Sequence, residues 1–174
     1  MIKNPIWIIV LKPTPLGDLW LGVTQRGLAS VSYADQQADY EAEITSHGYE
    51  PILHDDSYTQ DWQAQLQEYL LGERKQFNLP IDWSAMTPFQ AQVLRATFAI
   101  PYGETRSYAH IAAQIGKPRA ARAVGRAQAM NPIPLVIPCH RVIGSDGKMH
   151  GYGGRGGLKT KAWLLALESG KRLP

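Results

Sequence analysis

The sequence predicts an α+β protein, with a small N-terminal sheet-and-helix domain and a mostly helical C-terminal domain that contains a helix-turn-helix. Short β-type runs come first in the chain, whereas helical periodicity and helix-start signals dominate its second half. Charge divides in the same way: residues 1–80 carry 5 Lys and Arg against 11 Asp and Glu, and residues 81–174 carry 13 against 4. We therefore expect domains over residues 1–83 and 84–174, the second facing a polyanion.

The first domain is predicted to contain three strands and two helices. The strands are expected at Ile6–Leu11, Asp18–Val23 and Gly27–Tyr33, and the third alternates apolar and polar residues as a half-buried strand does. Ala34–His47 has a weak helical period, and Ser57–Leu71 has a stronger one with an aromatic face that we expect in the core. Nothing in this half carries recognisable chemistry.

Helices account for most of the second domain. Thr87 before Pro88 is a strong helix start, and Ser107 can cap a second helix. Two short helices joined by a Gly-containing turn form the helix-turn-helix pattern, which also occurs in helix pairs that never touch DNA. The predicted helices are Pro88–Ala99, Tyr108–Ile115, Arg119–Met130 and Leu158–Glu168.

Composition excludes several classes of site. The single cysteine excludes an internal disulfide and a multi-cysteine zinc site, and the five histidines have no paired ligand spacing, so we expect no metal. The apolar run Ile6–Leu11 is too short for an export signal, and no stretch is long enough to span a membrane. A reducing, cytoplasmic location is expected.

The stretch from Asn131 to Val142, Asn-Pro-Ile-Pro-Leu-Val-Ile-Pro-Cys-His-Arg-Val, holds that cysteine. Its prolines exclude a helix and predict a stiff, buried, extended segment that delivers Cys139. His140 can take the thiol proton, through a water if the two side chains point to opposite faces, and Arg141 favours the thiolate. A lone cysteine is often only a small buried hydrophobe, and these residues alone do not name the electrophile.

Ile-Pro-Cys-His-Arg-Val, with Asn-Pro before it and Gly-Tyr-Gly-Gly after it, resembles the active site of the methylated-DNA–protein-cysteine methyltransferases. The resemblance is specific over about Thr87–Glu168. It implies a DNA repair enzyme that moves a methyl or larger alkyl group from oxygen-6 of guanine, with oxygen-4 of thymine left open, to Cys139 in one turnover. It also implies no cofactor, double-stranded DNA containing 6-O-alkylguanine as partner, a monomer, and a ribonuclease H-like scaffold over residues 1–83.

The resemblance assigns roles around the sulfur. Glu168 would bond His140, which would bond a water that bonds the sulfur, and Asn131 would tie the third helix of the second domain to the active-site segment. An Asn at this point is also explained by a simple helix C-cap. Tyr108 would push on the phosphate of the target nucleotide. The implied catalytic set is Cys139, His140, Glu168, Asn131, Lys161 and Tyr108.

The third helix of this domain is thin because Ala and Gly fill most of it, while Arg122 and Arg126 project charge. In the resembling family this helix lies in the minor groove and an arginine enters the base stack as the target nucleotide is extruded, a role that falls on Arg122. The alternative for Arg122 is an ordinary contact with phosphate. The other residues expected at DNA are Ser107, Tyr108, Ala121, Arg126 and Arg141.

The glycine-rich loop His150–Gly157 lacks the Gly-Lys-Ser/Thr ending of a phosphate-binding loop. Its glycines would let the backbone approach a flat extruded base, and the resemblance implies a pocket of Val142, Tyr152, Gly153 and Gly154. The family usually has a shorter Gly-Tyr-x-Gly-Gly-Leu segment, with two residues fewer around Arg155. The longer loop suggests a more open pocket that admits larger alkyl groups.

Two other functions stay open on the sequence. A cysteine hydrolase would use the same thiol and imidazole with turnover, but it gives no reason for the helix-turn-helix. A DNA-binding protein without transfer activity would have a buried, inert Cys139. Basic residues that merely solvate helix faces would also produce the charge of the second half.

Overall fold

The computed structural model describes residues 4–53 and 56–170, which divide into two compact units between Ala85 and Met86. The first unit contains β1 (Pro5–Leu11), β2 (Leu19–Thr24), β3 (Gly27–Ser32), α1 (Gln37–Ser46), β4 (Glu50–Leu53) and α2 (Asp56–Leu70). The second contains α3 (Pro88–Phe98), β5 (Arg106–Ser107), α4 (Tyr108–Gln114), α5 (Ala121–Ala129), a 3₁₀ helix (Cys139–Arg141), β6 (Val142–Ile143) and α6 (Leu158–Glu168). The predicted α+β class is confirmed.

The first unit is a four-stranded sheet in the order β3-β2-β1-β4, with two helices. β1 and β2 are antiparallel, β2 and β3 are antiparallel, and β4 runs parallel to β1. β4 was not predicted, because four residues with an internal Pro51 give little strand signal. Proline is tolerated there because β4 lies at the edge of the sheet.

Side chains of the first unit cover both faces of its sheet. β2 and β3 are buried at every position, so the prediction of a half-buried third strand was wrong. Apolar and polar residues do alternate along β3, but the polar residues Ser30 and Ser32 are also buried. Ser32 Oγ donates to Glu43 Oε2 of α1 at 2.6 Å. Trp62 and Tyr69 of α2 are buried, as the aromatic face predicted.

The chain leaves the sheet along the start of β3. Leu28 N donates to Pro80 O at 2.9 Å, and Asp82 N donates to Leu28 O at 2.8 Å, so residues 80–82 extend the sheet by backbone hydrogen bonds. A Cβ on Gly27 would lie 2.1 Å from Pro80 O, and Gly27 has φ +127°. Only glycine fits this close approach of two backbones.

The Asp82 carboxylate anchors residues 80–82 to the first unit through side-chain hydrogen bonds. It is buried and accepts from Thr24 Oγ1 at 2.6 Å, Arg26 Nε at 3.2 Å, and Ser84 N and Oγ at 2.9 and 2.6 Å. Burial by itself raises the pKa of Asp82, but the hydrogen bonds from Ser84, Thr24 and Arg26 outweigh it and lower that pKa. The buried group is therefore an anion with its acceptors filled.

In the second unit α3, α4 and α5 pack around an apolar cluster, and α3 and α4 begin at the predicted caps. Thr87 Oγ1 accepts from Gln90 N at 3.3 Å, and Ser107 Oγ accepts from His110 N at 3.0 Å. α4 and α5 are joined by a turn around Gly116, which has φ +72°. The buried cluster contains Val93, Ala96, Ile100, Ile111, Ala112, Val124, Ala127 and Val142. No helix within the described residues has the length and apolarity needed to cross a membrane.

A two-stranded parallel ladder joins the start of α4 to the segment that follows the cysteine. β5 pairs Arg106 with Val142 and Ser107 with Ile143 of β6. Two-residue strands have no periodicity, so the sequence could not show this pairing. The ladder brings Tyr108, the first residue of α4, alongside the chain that carries Cys139.

Before Cys139 the chain is not extended, contrary to prediction. Leu135 has φ +73°, and Ile137 N donates to Ile133 O at 2.9 Å, closing a single turn. The prolines that exclude a helix also remove the N–H groups that a strand would need, so buried backbone groups are satisfied by local turns. The predicted burial and stiffness hold, since Ile133, Leu135, Val136 and Ile137 are at most 2% exposed.

We expect Asp82→Asn to lower the free energy of unfolding of the first unit by about 1–3 kcal/mol at neutral pH, because the amide loses bonds that need an anionic acceptor. Since the folded-state pKa of Asp82 is depressed, this contribution is present above about pH 4 and is lost as the pH falls further. Urea unfolding followed by tryptophan fluorescence at several pH values measures it. Asp61→Asn makes the same charge change at an exposed position of α2 and should have little effect; equal losses for both variants would contradict the assignment.

Candidate active site

Cys139 opens the 3₁₀ helix after a tight turn at Pro138. Pro138 has φ −80° and ψ 65°, and Cys139 N donates to Ile137 O at 2.8 Å, which is an inverse γ-turn. Asn131 Nδ2 donates to the same carbonyl at 2.8 Å, while Asn131 Oδ1 accepts from Ile133 N at 3.0 Å. Asn131 thus ties the end of α5 to the cysteine segment, which is more than a helix C-cap requires.

The Glu168 carboxylate joins the imidazole and the guanidinium that follow the cysteine. His140 Nε2 lies 2.7 Å from Glu168 Oε1, and Arg141 Nε and Nη2 donate to Oε2 and Oε1 at 2.8 and 2.9 Å. Gly103 N also donates to Oε2 at 3.1 Å, and Arg141 Nη1 donates to Ile100 O at 2.6 Å. The side chains of His140 and Glu168 are fully buried, so α6 contributes a shielded carboxylate to the site.

The expectation that Arg141 binds DNA was wrong. Its side chain is 7% exposed, its donors are used within the unit, and its guanidinium lies 5.7 Å from the centre of the Tyr102 ring. A bidentate pair with a buried carboxylate holds it inside, because separating the pair would leave an uncompensated buried charge. The Arg beside the cysteine therefore serves the carboxylate and not a phosphate.

Charges in the site favour a neutral imidazole. Burial by itself raises the pKa of Glu168, but bonds and positive charge from His140 and Arg141 outweigh it and hold that pKa well below its ordinary value. Burial lowers the pKa of His140, and Arg141 and Lys161 act in the same direction against the pull of Glu168. With a carboxylate on Nε2, the neutral ring carries its proton there, and Nδ1 is the nitrogen that can accept one.

The sulfur rests as a thiol. Burial raises the pKa of Cys139, while the Asn131 side chain, Lys161 and the neighbouring backbone N–H groups act in the opposite direction. The prediction that Arg141 favours the thiolate was wrong, because Arg141 is committed to Glu168 and the cation that acts on the sulfur is Lys161. Deprotonation therefore needs a base at the moment of reaction.

Lys161 links the segment that follows Cys139 to the glycine-rich loop. Its side chain is buried, and Nζ donates to Val142 O at 2.6 Å and to Gly151 O at 3.2 Å. One bond reaches the strand that follows the cysteine, and the other reaches the glycine-rich loop. Burial lowers the pKa of Lys161, and the sulfur acts against this shift.

A cavity of about 190 Å³ lies beside the sulfur, on the scale of one nucleobase rather than a drug-sized ligand. Helices α4 and α5 form one wall, and the loop after β6 forms the other. Tyr108 Oη donates to His150 O at 3.1 Å and joins the two walls. The lining residues are Tyr108, Gly125, Gln128, Ala129, Cys139, His150, Gly151, Tyr152 and Gly153.

Two of the predicted pocket residues lie elsewhere. Val142 is fully buried in the core cluster, where its side chain packs with the helices, so only its carbonyl serves the site. Gly154 is outside the lining, because the chain turns there toward α6 with Gly157 N donating to Gly154 O at 3.0 Å. Tyr152 and Gly153 do line the cavity.

The extra residues of the loop are at the start of α6 and not in the cavity wall. Arg155 is exposed, and its carbonyl accepts a hydrogen bond from Thr160 Oγ1 in the first turn of that helix. A Cβ on Gly156, which has φ +80°, would lie 2.6 Å from the same hydroxyl. The insertion thus builds a helix-start turn, and its position does not by itself widen the cavity.

Several lining residues were not predicted from the sequence, above all Gln128, Gly125 and His150. Gln128 gave a usable signal, since it is a polar residue among small apolar ones on the same helix as Val124 and Ala127. Gly125 faces Tyr108, whose ring would be 3.8 Å from an added Cβ. No pattern marked His150, which reaches the cavity only through the course of its loop.

The expected DNA-contacting residues of α5 are on its accessible side. Arg122 and Arg126 are exposed, and Ala121 is half-buried. Ser107 is half-buried and caps α4. Over residues 4–53 and 56–170, no three His, Cys, Asp or Glu side chains come together as a metal site would need.

Two domain models of one protein family match this chain, and together they cover most of it. The 6-O-methylguanine DNA methyltransferase ribonuclease-like domain matches residues 10–83, and the DNA binding domain of the same family matches residues 88–170. This chain belongs to the 6-O-methylguanine DNA methyltransferase family. The match to the DNA binding domain contains Cys139, His140 and Glu168 and every residue of the cavity.

Relatives of known name agree with this family. The chain is 42% identical over 160 residues to the constitutive methylated-DNA–protein-cysteine methyltransferase of Bacillus subtilis, covering 89% of this chain and 91% of that protein. It is 41% identical over 155 residues to the Methanosarcina barkeri protein, covering 89% and 92%. The relative from Mycolicibacterium paratuberculosis is 57% identical over 104 residues, covering 60% and 61%.

Solved structures of this family have the same fold. The Mycobacterium tuberculosis O6-methylguanine methyltransferase superposes with a TM-score of 0.77 at 41% identity, covering 96% of this chain and 93% of that one. The M. tuberculosis OGT crystallised in complex with DNA gives the same TM-score at 39% identity, covering 95% and 93%.

We expect the alkylation of Cys139 by iodoacetamide to accelerate with pH through an inflection above that of a free cysteine, about 8.5. The direction follows because burial raises the pKa of the thiol, so less thiolate is present at any given pH. Mass spectrometry of the intact protein gives the rates. Protein unfolded in urea is the matched control and should return to the ordinary inflection, while a folded-state inflection below it would contradict the burial argument.

Proposed function

We propose that this protein repairs DNA by transferring an alkyl group from oxygen-6 of guanine to the sulfur of Cys139, once per molecule. The observation that carries the proposal is a base-sized cavity lined by the only cysteine of the chain, whose next residue, His140, forms a buried pair with the Glu168 carboxylate. Relatives over nearly the whole chain are named methylated-DNA–protein-cysteine methyltransferases.

The first step is extrusion of the damaged nucleotide. An alkyl group on oxygen-6 lies within the base stack, so a sulfur at the end of a cavity reaches it only after the nucleotide has rotated out, at a cost of a few kcal/mol. We assign α4 and α5 to the helix-turn-helix, with α5 in the minor groove. Arg122 enters the vacated stack, and Tyr108 displaces the target phosphate.

The second step is displacement at the alkyl carbon. His140 takes the thiol proton, directly or through a water, and Glu168 stabilises the cationic ring that forms. The sulfur then bonds the alkyl carbon as the carbon–oxygen bond breaks, and its electron pair passes to the purine oxygen. The proton lost by the thiol balances the one that the restored guanine gains.

The product explains a single turnover. The alkylated cysteine is a thioether, which does not hydrolyse under mild conditions, and the chain has no second cysteine to accept the group. The reaction needs one thiol and one extruded base, so we propose a monomer that acts on one lesion at a time. A reducing compartment such as the cytoplasm keeps the thiol available.

The competing functions explain less. A cysteine hydrolase would turn over, and nothing in that chemistry uses a thin, arginine-bearing helix beside the cavity. An inert DNA-binding protein would have no need of the Glu168–His140 pair beside its cysteine. Oxygen-4 of thymine and alkyl groups larger than methyl are further substrates that this cavity leaves open.

Incubation of the reduced protein with duplex DNA containing one 6-O-methylguanine should add the mass of one methylene to the intact protein, on the peptide that contains Cys139. The expected stoichiometry is one methyl per molecule, without further turnover. Cys139→Ser and undamaged DNA are the controls and should give no adduct. An unmodified wild-type protein after reaction with excess DNA would refute the proposal.

Arg122→Ala should slow transfer from duplex DNA roughly tenfold or more, because the extruded state loses the side chain that fills the stack. Transfer from free 6-O-benzylguanine needs no extrusion and should be unaffected. Single-turnover rates on both substrates test this.

Arg126→Ala is the matched comparison, since it removes the same charge one turn along the exposed side of α5. If Arg126 contacts a phosphate, Arg126→Ala should lower the salt slope of binding by about one unit and retain the rate of transfer at saturating DNA. Arg122→Ala behaving in that same way would identify Arg122 as a phosphate contact and contradict its role in the stack.

A further inference from the structure

The turn that follows α3 lines no part of the Cys139 cavity and has no role in the mechanism above. It runs from Pro101 to Glu104 and is closed by Glu104 N, which donates to Pro101 O at 3.1 Å. Gly103, its third residue, has φ +77°, as the third residue of such turns often has. An exposed turn of this kind usually only reverses the chain, but this one also reaches the interior of the site.

The contacts of this turn meet both members of the buried Arg141–Glu168 pair. Ile100, the residue before the turn, accepts from Arg141 Nη1 through its carbonyl at 2.6 Å. The Tyr102 ring centre lies 5.7 Å from the guanidinium of the same arginine. Gly103 N donates to Glu168 Oε2 at 3.1 Å. The turn therefore belongs to the immediate surroundings of the carboxylate that bonds the imidazole.

Gly103 and the imidazole bond different oxygens of that carboxylate. His140 Nε2 lies 2.7 Å from Glu168 Oε1, whereas the Gly103 N–H is on Oε2. The Arg141 guanidinium donates to both oxygens. A carboxylate held in this way cannot move relative to the imidazole without changing the length of the bond on Oε2. The Gly103 N–H thus helps to set the distance between Glu168 and His140.

The contact depends on the lack of a side chain at Gly103. A Cβ there would lie 3.1 Å from Glu168 O and 3.9 Å from the carbonyl carbon, so one of the two segments would have to give by a few tenths of an ångström. Gly48 is a useful contrast, because it has φ +83° and an added Cβ would meet nothing within 4 Å. Conformation alone explains Gly48, whereas Gly103 also provides a close approach to the backbone of Glu168.

We propose that Gly103 is a positioning residue for alkyl transfer, which holds the Glu168 carboxylate at the place where it meets the His140 ring. This role rests on the proposed function, in which His140 takes the thiol proton and Glu168 stabilises the cation that forms. Gly103 lies outside the cavity lining and acts through Glu168. Since proton transfer depends on the geometry of the groups involved, a small displacement of this carboxylate changes the rate.

An added Cβ at Gly103 should push the exposed turn outward, because Glu168 is buried and held by Arg141. The Gly103 N–H then moves away from Oε2, and the carboxylate has one donor fewer. In the native site Glu168 raises the pKa of the His140 ring, while burial and the cations of Arg141 and Lys161 lower it. With a donor lost, the carboxylate attracts the imidazole proton more strongly. The pKa of His140 therefore rises, and less of the ring is free to take the thiol proton.

The test is the pH dependence of transfer from free 6-O-benzylguanine, a substrate that needs no DNA. Burial holds the pKa of His140 below its ordinary value of about 6.5, so the wild-type rate should fall only below that pH. Gly103→Ala should move this acid limb up by roughly half a pH unit or more, with the loss of rate largest at low pH and small at about pH 8. Single-turnover rates followed by the intact mass of the protein give both profiles.

Two further variants separate this role from a loss of stability. Gly48→Ala introduces the same unfavourable φ without a contact, so it should lower the temperature of thermal unfolding and leave the acid limb in place. Gly103→Asn carries the same Cβ on a residue that tolerates positive φ, and it should reproduce the shift with less loss of stability than Gly103→Ala.

An acid limb at the wild-type pH in both Gly103 variants overturns the proposal, as does an equal shift in Gly48→Ala. Wild-type protein that transfers no alkyl group, either from free 6-O-benzylguanine or from the methylated duplex, would instead refute the proposed function.

Discussion

The carboxylate of Glu168 is the group on which the site depends. It accepts from the His140 ring, from two nitrogens of Arg141 and from the backbone of Gly103 within a shielded interior. Burying an anion is costly unless its acceptors are filled, and here all of these donors fill them. One side chain of the last helix thereby holds the His140 ring and the Arg141 guanidinium, the two side chains that follow Cys139, in place.

Because His140 and Arg141 share the Glu168 carboxylate, their arrangement also affects the protonation state of the imidazole. Arg141 competes with His140 for the same negative charge, and together with burial it lowers the pKa of the imidazole. Burial likewise raises the pKa of the thiol. Both directions favour the neutral forms, so Cys139 and His140 are uncharged at rest, and the reactive thiolate forms only when a proton leaves the sulfur.

Local patterns predicted most of the helices, because their signals are carried by adjacent residues. Thr87 and Ser107 cap their helices as expected, and α6 has the predicted bounds. The approach to Cys139 could not be predicted in this way. Its prolines exclude both a helix and a strand ladder, and the turns that replace them depend on Asn131 reaching back to Ile137 O.

The sequence by itself determined the kind of chemistry: one thiol next to an imidazole, a thin basic helix before it, and a glycine-rich loop after it. Tertiary structure decided which groups act on that thiol. Glu168 meets His140 from 28 residues away, and Arg141 turns inward to the same carboxylate instead of to DNA. These are contacts between elements distant in the chain, and burial sets their strength, so no local pattern could have shown them.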